Sequence, residues 1–146
     1  MAKQVIIGSD HAGFSLKELL VSELTKSGYD VHDMGPATAE SCDYPLFAQK
    51  VCERVLQQKA QGILICGTGI GMSMAANRID GIRAALCTTE FHARATRLHN
   101  NANVLCLGER VTGPGVALEL ARLFLETEFE GGRHQRRIDL FDSASA

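Results

Sequence analysis

The residues best equipped for chemistry gather around Cys66. It closes the aliphatic run Ile63-Leu64-Ile65, and Gly67, Gly69 and Gly71 follow at once. A thiol can serve as a base, and a place beside the start of a helix favours the thiolate form. Glycines let backbone N–H groups come close to a ligand. The stretch from Ile70 to Arg78 reads as a helix whose free N–H groups would face that same ligand. A base beside a cradle for an oxyanion or a phosphate points to catalysis. The plainer reading is a cysteine packed at the end of a strand and a tight turn that needs glycine. The loop is not the dinucleotide fingerprint, because Met72 stands where the third glycine would be. Nor is it a Walker A loop, since no Gly-Lys-Ser/Thr follows.

Three further groups could take part. Asp10-His11 could orient a substrate, or be a loop carboxylate beside a solvated histidine. His99, within Arg97-Leu98-His99-Asn100-Asn101, could donate a proton, or simply sit well at a helix C-terminus. Arg133, His134, Arg136 and Arg137 form a basic cluster after Gly131-Gly132. Arg133 and Arg137 would share one face if this segment is helical, offering two guanidinium forks to a phosphate monoester. The alternative there is a solvated basic tail.

Short apolar runs alternating with amphipathic stretches must position these groups. Val5-Ile6-Ile7 reads as a first strand, with a helix from about Ser15 to Lys26 opened by a Ser15/Glu18 capping box and stopped at Gly28. A second strand spans about 30–33. Asp43-Tyr44-Pro45 starts a helix whose apolar face carries Phe47, Val51 and Val55. The third strand covers 62–66 and the fourth 82–87, followed by a helix from about Thr89 to Leu98. The fifth strand covers 104–107 and the fifth helix 113–128. His99 and Asn100 would then follow the fourth helix, and the end of the chain frays into small residues. Five strand–helix alternations imply a three-layer α/β/α Rossmann-like fold with a five-stranded parallel sheet. Ligands in such folds sit beyond the carboxyl ends of the strands, where Asp10, Cys66 and Arg110 would lie.

At 146 residues the chain suits one domain, 1–146. A net charge of −2 gives no electrostatic case for nucleic acid or a membrane surface. No apolar stretch reaches the roughly 18 residues of a membrane span. Five cysteines at 42, 52, 66, 87 and 106, an odd number without a C-x-x-C pair, suit neither a disulfide framework nor a zinc site. A reducing, cytoplasmic setting follows. Cys42, Cys52, Cys87 and Cys106 have no assigned role, and packing is their default.

Six segments together resemble one family along nearly the whole chain. They are GSDHAG at 8–13, DYP at 43–45, ICGTGIGMS at 65–73, HNNANVL at 99–105, GERVTG at 108–113 and EGGRHQRR at 130–137. All are similar to the ribose-5-phosphate isomerase B type of sugar-phosphate isomerase, in its cysteine branch. The resemblance implies interconversion of ribose 5-phosphate and ribulose 5-phosphate in the pentose phosphate pathway, with no metal and no organic cofactor. His99 would be the ring-opening acid, assisted by Asp10, and Cys66 the base that forms a cis-enediolate. Amides of Gly67, Thr68, Gly69, Ile70 and Gly71 would hold the enediolate. Thr68 and Asn100 would contact sugar hydroxyls, and Tyr44 would wall the site. His11, Arg110, Arg133 and Arg137 would take the phosphate. The family implies a homodimer or a tetramer of dimers with shared sites, with the basic segment 130–146 reaching a neighbour. The alternatives are an isomerase for a six-carbon substrate such as allose 6-phosphate, and a non-catalytic module that binds phosphate or nucleotide.

Overall fold

The aliphatic runs Val5-Ile6-Ile7 and Ile63-Leu64-Ile65 are fully buried in the computed structural model, which describes residues 1–143. They form the centre of a sheet made of β1 (Gln4–Ser9), β2 (Asp30–Asp33), β3 (Gln61–Cys66), β4 (Ala84–Leu86) and β5 (Val104–Gly108). The strand order is β2-β1-β3-β5-β4, and every pairing is parallel. Around it lie α1 (Phe14–Lys26), α2 (Tyr44–Gln58), α3 (Ile70–Ala76), α4 (Glu90–Asn100), α5 (Pro114–Glu126) and α6 (Arg133–Ser143). No helix among the described residues is long and apolar enough to cross a membrane.

Side chains alternate between the two faces of a strand, so each face of an apolar sheet needs its own cover. Val5, Ile7, Ile63, Ile65, Leu105 and Leu107 pack with Leu20 and Leu24 of α1 and Leu120 and Phe124 of α5. Ile6, Leu64, Val104 and Cys106 pack on the other side with Val51 and Val55 of α2 and Met72 and Ala76 of α3. The fold is the three-layer α/β/α arrangement that the alternation of elements implies.

Local expectations change in four places. The Ser15/Glu18 capping box does not form, because α1 starts at Phe14 with Gly13 as its N-cap and no side-chain cap bond. Its early amides are met from elsewhere: Asp10 Oδ1 accepts from the Gly13 N–H at 3.0 Å and Glu109 Oε1 from the Leu16 N–H at 2.6 Å. The third helix and fourth strand are shorter than their apolar runs suggest, ending at Ala76 and spanning only Ala84–Leu86. His99 and Asn100 form the last turn of α4 rather than following it. The basic segment is largely helical; the part expected to fray, 144–146, lies outside the described residues.

Lys17 is fully buried, which is costly for an ammonium unless it is paired. Its Nζ donates to both oxygens of Asp33, at 3.0 and 2.9 Å, and to the Pro36 carbonyl at 3.0 Å. These bonds tie α1 to the end of β2 and to the loop leading toward Tyr44. Lys17→Met keeps the bulk of the side chain and removes its bonds, so it should lower unfolding free energy by about 2 kcal/mol. Urea denaturation checks this, and an unchanged midpoint would mean the ion pair is structurally idle.

Candidate active site

Strand order reverses beside β1, with β2 on one flank and β3 on the other. Loops leaving the two central strands diverge there and open a crevice at their carboxyl ends. Asp10 opens the loop after β1, and Cys66 ends β3 where the other loop begins. The Asp10 N–H donates to the Ile65 carbonyl at 3.1 Å, which ties it to the residue before Cys66. Its carboxylate is buried and accepts from the Gly13 N–H.

Cys66 is only 5% exposed, and its Sγ accepts a hydrogen bond from the Gly69 N–H at 3.2 Å. That N–H leaves the sulfur fixed at the mouth of the loop. The bond needs Gly69 in the left-handed region, φ +80, where a β-carbon would meet Leu86 Cδ1 at 2.6 Å and the Leu107 carbonyl carbon at 3.0 Å. The loop is pinned to the end of β5 by two bonds, Glu109 N–H to Cys66 O at 2.9 Å and Arg110 N–H to Gly67 O at 3.0 Å. The Arg110 guanidinium lies over Gly67, its Nη1 3.2 Å from where a β-carbon would stand. Thr68 Oγ1 accepts from the Ile70 N–H at 3.2 Å, and both residues are exposed. The Tyr44 ring covers Gly71, its Cζ 2.7 Å from a β-carbon built there.

His11 completes this half of the site. The Cys42 N–H donates to its Nδ1 at 3.3 Å, so in the neutral ring the proton sits on Nε2 and that nitrogen remains a donor. Asp10, His11, Tyr44, Cys66, the 67–71 loop and Arg110 therefore share the carboxyl edge of the sheet.

The other expected residues stand elsewhere. α4 runs back from the carboxyl end of β4 to the amino end of β5, about 16 Å at 1.5 Å per residue. Asn103, just past α4, donates to the Arg83 carbonyl at 2.9 Å and accepts from the Gly62 N–H at 2.8 Å, beside the starts of β4 and β3. β5 must then cross the sheet before Gly108 comes opposite Cys66. Within one chain, His99 and Asn100 thus lie at the amino edge, away from Cys66. Asn100 borders a cleft of about 430 Å³ with Arg83, Thr96 and Phe141, and no residue of the 66–71 loop lines it.

The turn before α6 and its first residues bring two groups to His99 that the sequence reading did not place. The His134 ring stacks on His99 with centroids 4.6 Å apart and planes 21° apart. Glu130 reaches both rings, Oε1 at 4.0 Å from His99 Nε2 and Oε2 at 3.4 Å from His134 Nε2. Their ligand atoms all lie within 4.8 Å, so the trio could hold a metal ion. Nearly parallel rings aim their in-plane lone pairs side by side, however, which suits ion pairing better than chelation. Spacing could have hinted at Glu130 and His134, four apart, but no local pattern shows that they meet His99. Arg133 and Arg137 are exposed on α6.

The remaining cysteines behave as packing residues. Burial pushes the Cys52 and Cys87 thiols up to about 12, and raises Cys106 as well. Cys42 is half-buried beside His11.

The family model for ribose/galactose isomerase matches residues 5–141. Ribose-5-phosphate isomerase B of Escherichia coli (strain K12) is 43% identical over 138 residues, covering 94% of this chain and 93% of its own. Among solved structures, a ribose 5-phosphate isomerase from Thermotoga maritima has a TM-score of 0.95 at 49% identity, covering 98% of this chain and 99% of that one. Ribose-5-phosphate isomerase B from Mycoplasma genitalium, solved with bound ribulose-5-phosphate, gives 0.95 at 42% identity, covering 99% and 97%.

The thiol environments predict an order of reactivity. A raised folded-state value keeps Cys52, Cys87 and Cys106 protonated at about pH 9, well below the pH at which they would ionise. Iodoacetamide followed by peptide mass spectrometry should find Cys66 and Cys42 labelled in the native protein and those three untouched. Labelling of the buried three at the rate of Cys66 would contradict this picture of the site.

Proposed function

The chain belongs to the ribose/galactose isomerase family, and we propose that it interconverts ribose 5-phosphate and ribulose 5-phosphate in the pentose phosphate pathway. The observation that carries this reading is the Gly69 N–H on Cys66 Sγ, inside a loop of amides at the strand switch point. A thiol held beside backbone amides supports the reading of Cys66 as a base next to an oxyanion cradle.

The chemistry proceeds from the aldose. His99 delivers a proton to the ring oxygen as the bond from that oxygen to the anomeric carbon breaks, and Asp10 assists on the anomeric hydroxyl. Cys66 then takes the proton from C2 of the open chain and returns it to C1 through a cis-enediolate, while the O2 hydroxyl gives up its proton and O1 gains one. Charge that develops on oxygen meets the amides of residues 67 to 71. One such donor is typically worth about 3–4 kcal/mol in the transition state. Thr68 and Asn100 hold sugar hydroxyls, and Tyr44 closes the wall above Gly71. Nε2 of His11 and the Arg110 guanidinium bind the phosphate from one side, with Arg133 and Arg137 opposing them. Proton transfer from carbon beside a carbonyl, with the enediolate held by amides, requires no metal or organic cofactor.

One chain cannot bring these groups together, because its two sets lie at opposite edges of the sheet. In a two-fold dimer each chain lends its amino-edge set to the other's carboxyl edge, and two equivalent sites result. Exposed apolar side chains accompany both sets: Leu46, Ile70 and Met74 near the loop, and Leu140 and Phe141 on α6. We therefore assign a homodimer, or a tetramer of such dimers, with shared sites. The five thiols, none in a disulfide, suit a cytoplasmic enzyme.

The test is turnover of ribose 5-phosphate and of allose 6-phosphate by purified protein with chelator present. The expected result is fast conversion of ribose 5-phosphate that the chelator does not slow. A clear preference for allose 6-phosphate, or no turnover of either, would overturn the substrate assignment.

A further inference from the structure

His99 stands on the last turn of α4 with its side chain 44% exposed. A histidine in that setting would ordinarily sample several rotamers, yet a ring-opening acid must meet one oxygen in one orientation. The surroundings of His99 supply the restraint. One face of its ring lies on His134, whose side chain is 8% exposed and whose Nε2 is buried without a hydrogen-bond partner among the described residues. The carboxylate of Glu130 stands at the edge of both rings, in ion-pair range of each Nε2.

The Glu130 backbone is anchored beside His99. Its N–H donates to the Leu98 carbonyl at 3.2 Å, which fastens it to the turn that carries His99. Gly131 and Gly132 follow with φ of +73 and +59, left-handed values that reverse the chain at once into α6. The His134 N–H donates back to the Gly131 carbonyl at 3.2 Å, so the ring returns over the carboxylate. A backbone bond, a left-handed pair and a buried ring thus converge on one exposed imidazole. Arg97, on the same helix as His99, bonds Thr127 O and Asn101 Oδ1, and Glu126 of α5 bonds Tyr29.

We propose that Glu130 is a positioning residue for ring opening, holding His99 directly and through the stacked His134. This rests on the reading of His99 as the ring-opening acid. Glu130 touches neither the sugar nor the reacting atoms. It fixes the plane of the His99 ring and which nitrogen is left to face the sugar.

Two reactions separate this role from general damage. Conversion of cyclic ribose 5-phosphate needs the ring opened. Exchange of the C1 hydrogen of ribulose 5-phosphate with solvent needs only Cys66 and the enediolate, because that ketose is acyclic. Turnover and deuterium uptake in heavy water are measured for the full-length Glu130→Gln and His99→Asn variants. Glu130→Gln should lose about 10- to 100-fold in ribose 5-phosphate turnover while its deuterium uptake stays within roughly twofold. Glu130→Asp, which keeps the charge, should recover part of the turnover. His99→Asn should show the same split, more severely.

If His99→Asn splits the two reactions and Glu130→Gln leaves both unchanged, the positioning role is wrong and His99 keeps its own. Equal loss of both reactions in Glu130→Gln would make it a structural residue and overturn the proposal too. If His99→Asn turns over ribose 5-phosphate normally, the reading of His99 fails first and takes the proposal with it.

Discussion

The pinning of the 66–71 loop against the end of β5 is the constraint on which the rest depends. Two backbone bonds, from Glu109 and Arg110 to Cys66 and Gly67, fix where the loop leaves the sheet. With that exit fixed, a left-handed Gly69 turns its N–H onto sulfur, and the next amide, of Ile70, donates to Thr68 Oγ1. Any residue with a β-carbon at 69 would strike Leu86 and the Leu107 carbonyl, so the loop has little freedom to relax. The same pinning brings the Arg110 guanidinium over Gly67, so a cation stands beside the loop. Preorganisation of this kind is what transition-state stabilisation asks of a protein, since little reorganisation remains when charge develops.

The second constraint is directional. In a parallel α/β sheet each helix carries the chain back to the amino edge, so residues at the ends of strands and at the ends of helices are kept apart. Cys66 ends a strand and His99 ends a helix. No rotamer change within one chain brings them together, so the proposed roles of Cys66 and His99 require a second copy. The amino-edge set is likewise ordered by contact: His99 stacks on the buried His134 ring, with the Glu130 carboxylate at the edge of both.

Much of this was legible in the sequence, and the parts that were not have physical reasons. Aliphatic runs and turn residues announce the five strands and the parallel sheet, whereas the place where strand order reverses depends on pairings between distant strands. Cys66 with its glycines could be read because its chemistry is contiguous. The capping box at Ser15 misled because Asp10 and Glu109, 93 residues from Leu16, satisfy the early amides of α1 instead. The boundaries of α3 and β4 were missed because an apolar run records burial, not hydrogen bonding. His99 was noticed, but its place on the far edge depends on the path of α4. Glu130 and His134 gain meaning only through a contact with a residue more than 30 positions earlier, which no local spacing reveals.

The central claim is that base and acid act in one site but come from different chains. The most direct measurement mixes Cys66→Ala chains with His99→Asn chains, lets subunits exchange, and assays ribose 5-phosphate turnover. Each variant alone should be inactive on that aldose. The mixture should recover about a quarter of wild-type activity, because half of the dimers would hold one intact site of two. A mixture as inactive as its parents would place both groups in one chain's site or remove one of them from catalysis, and would contradict the account.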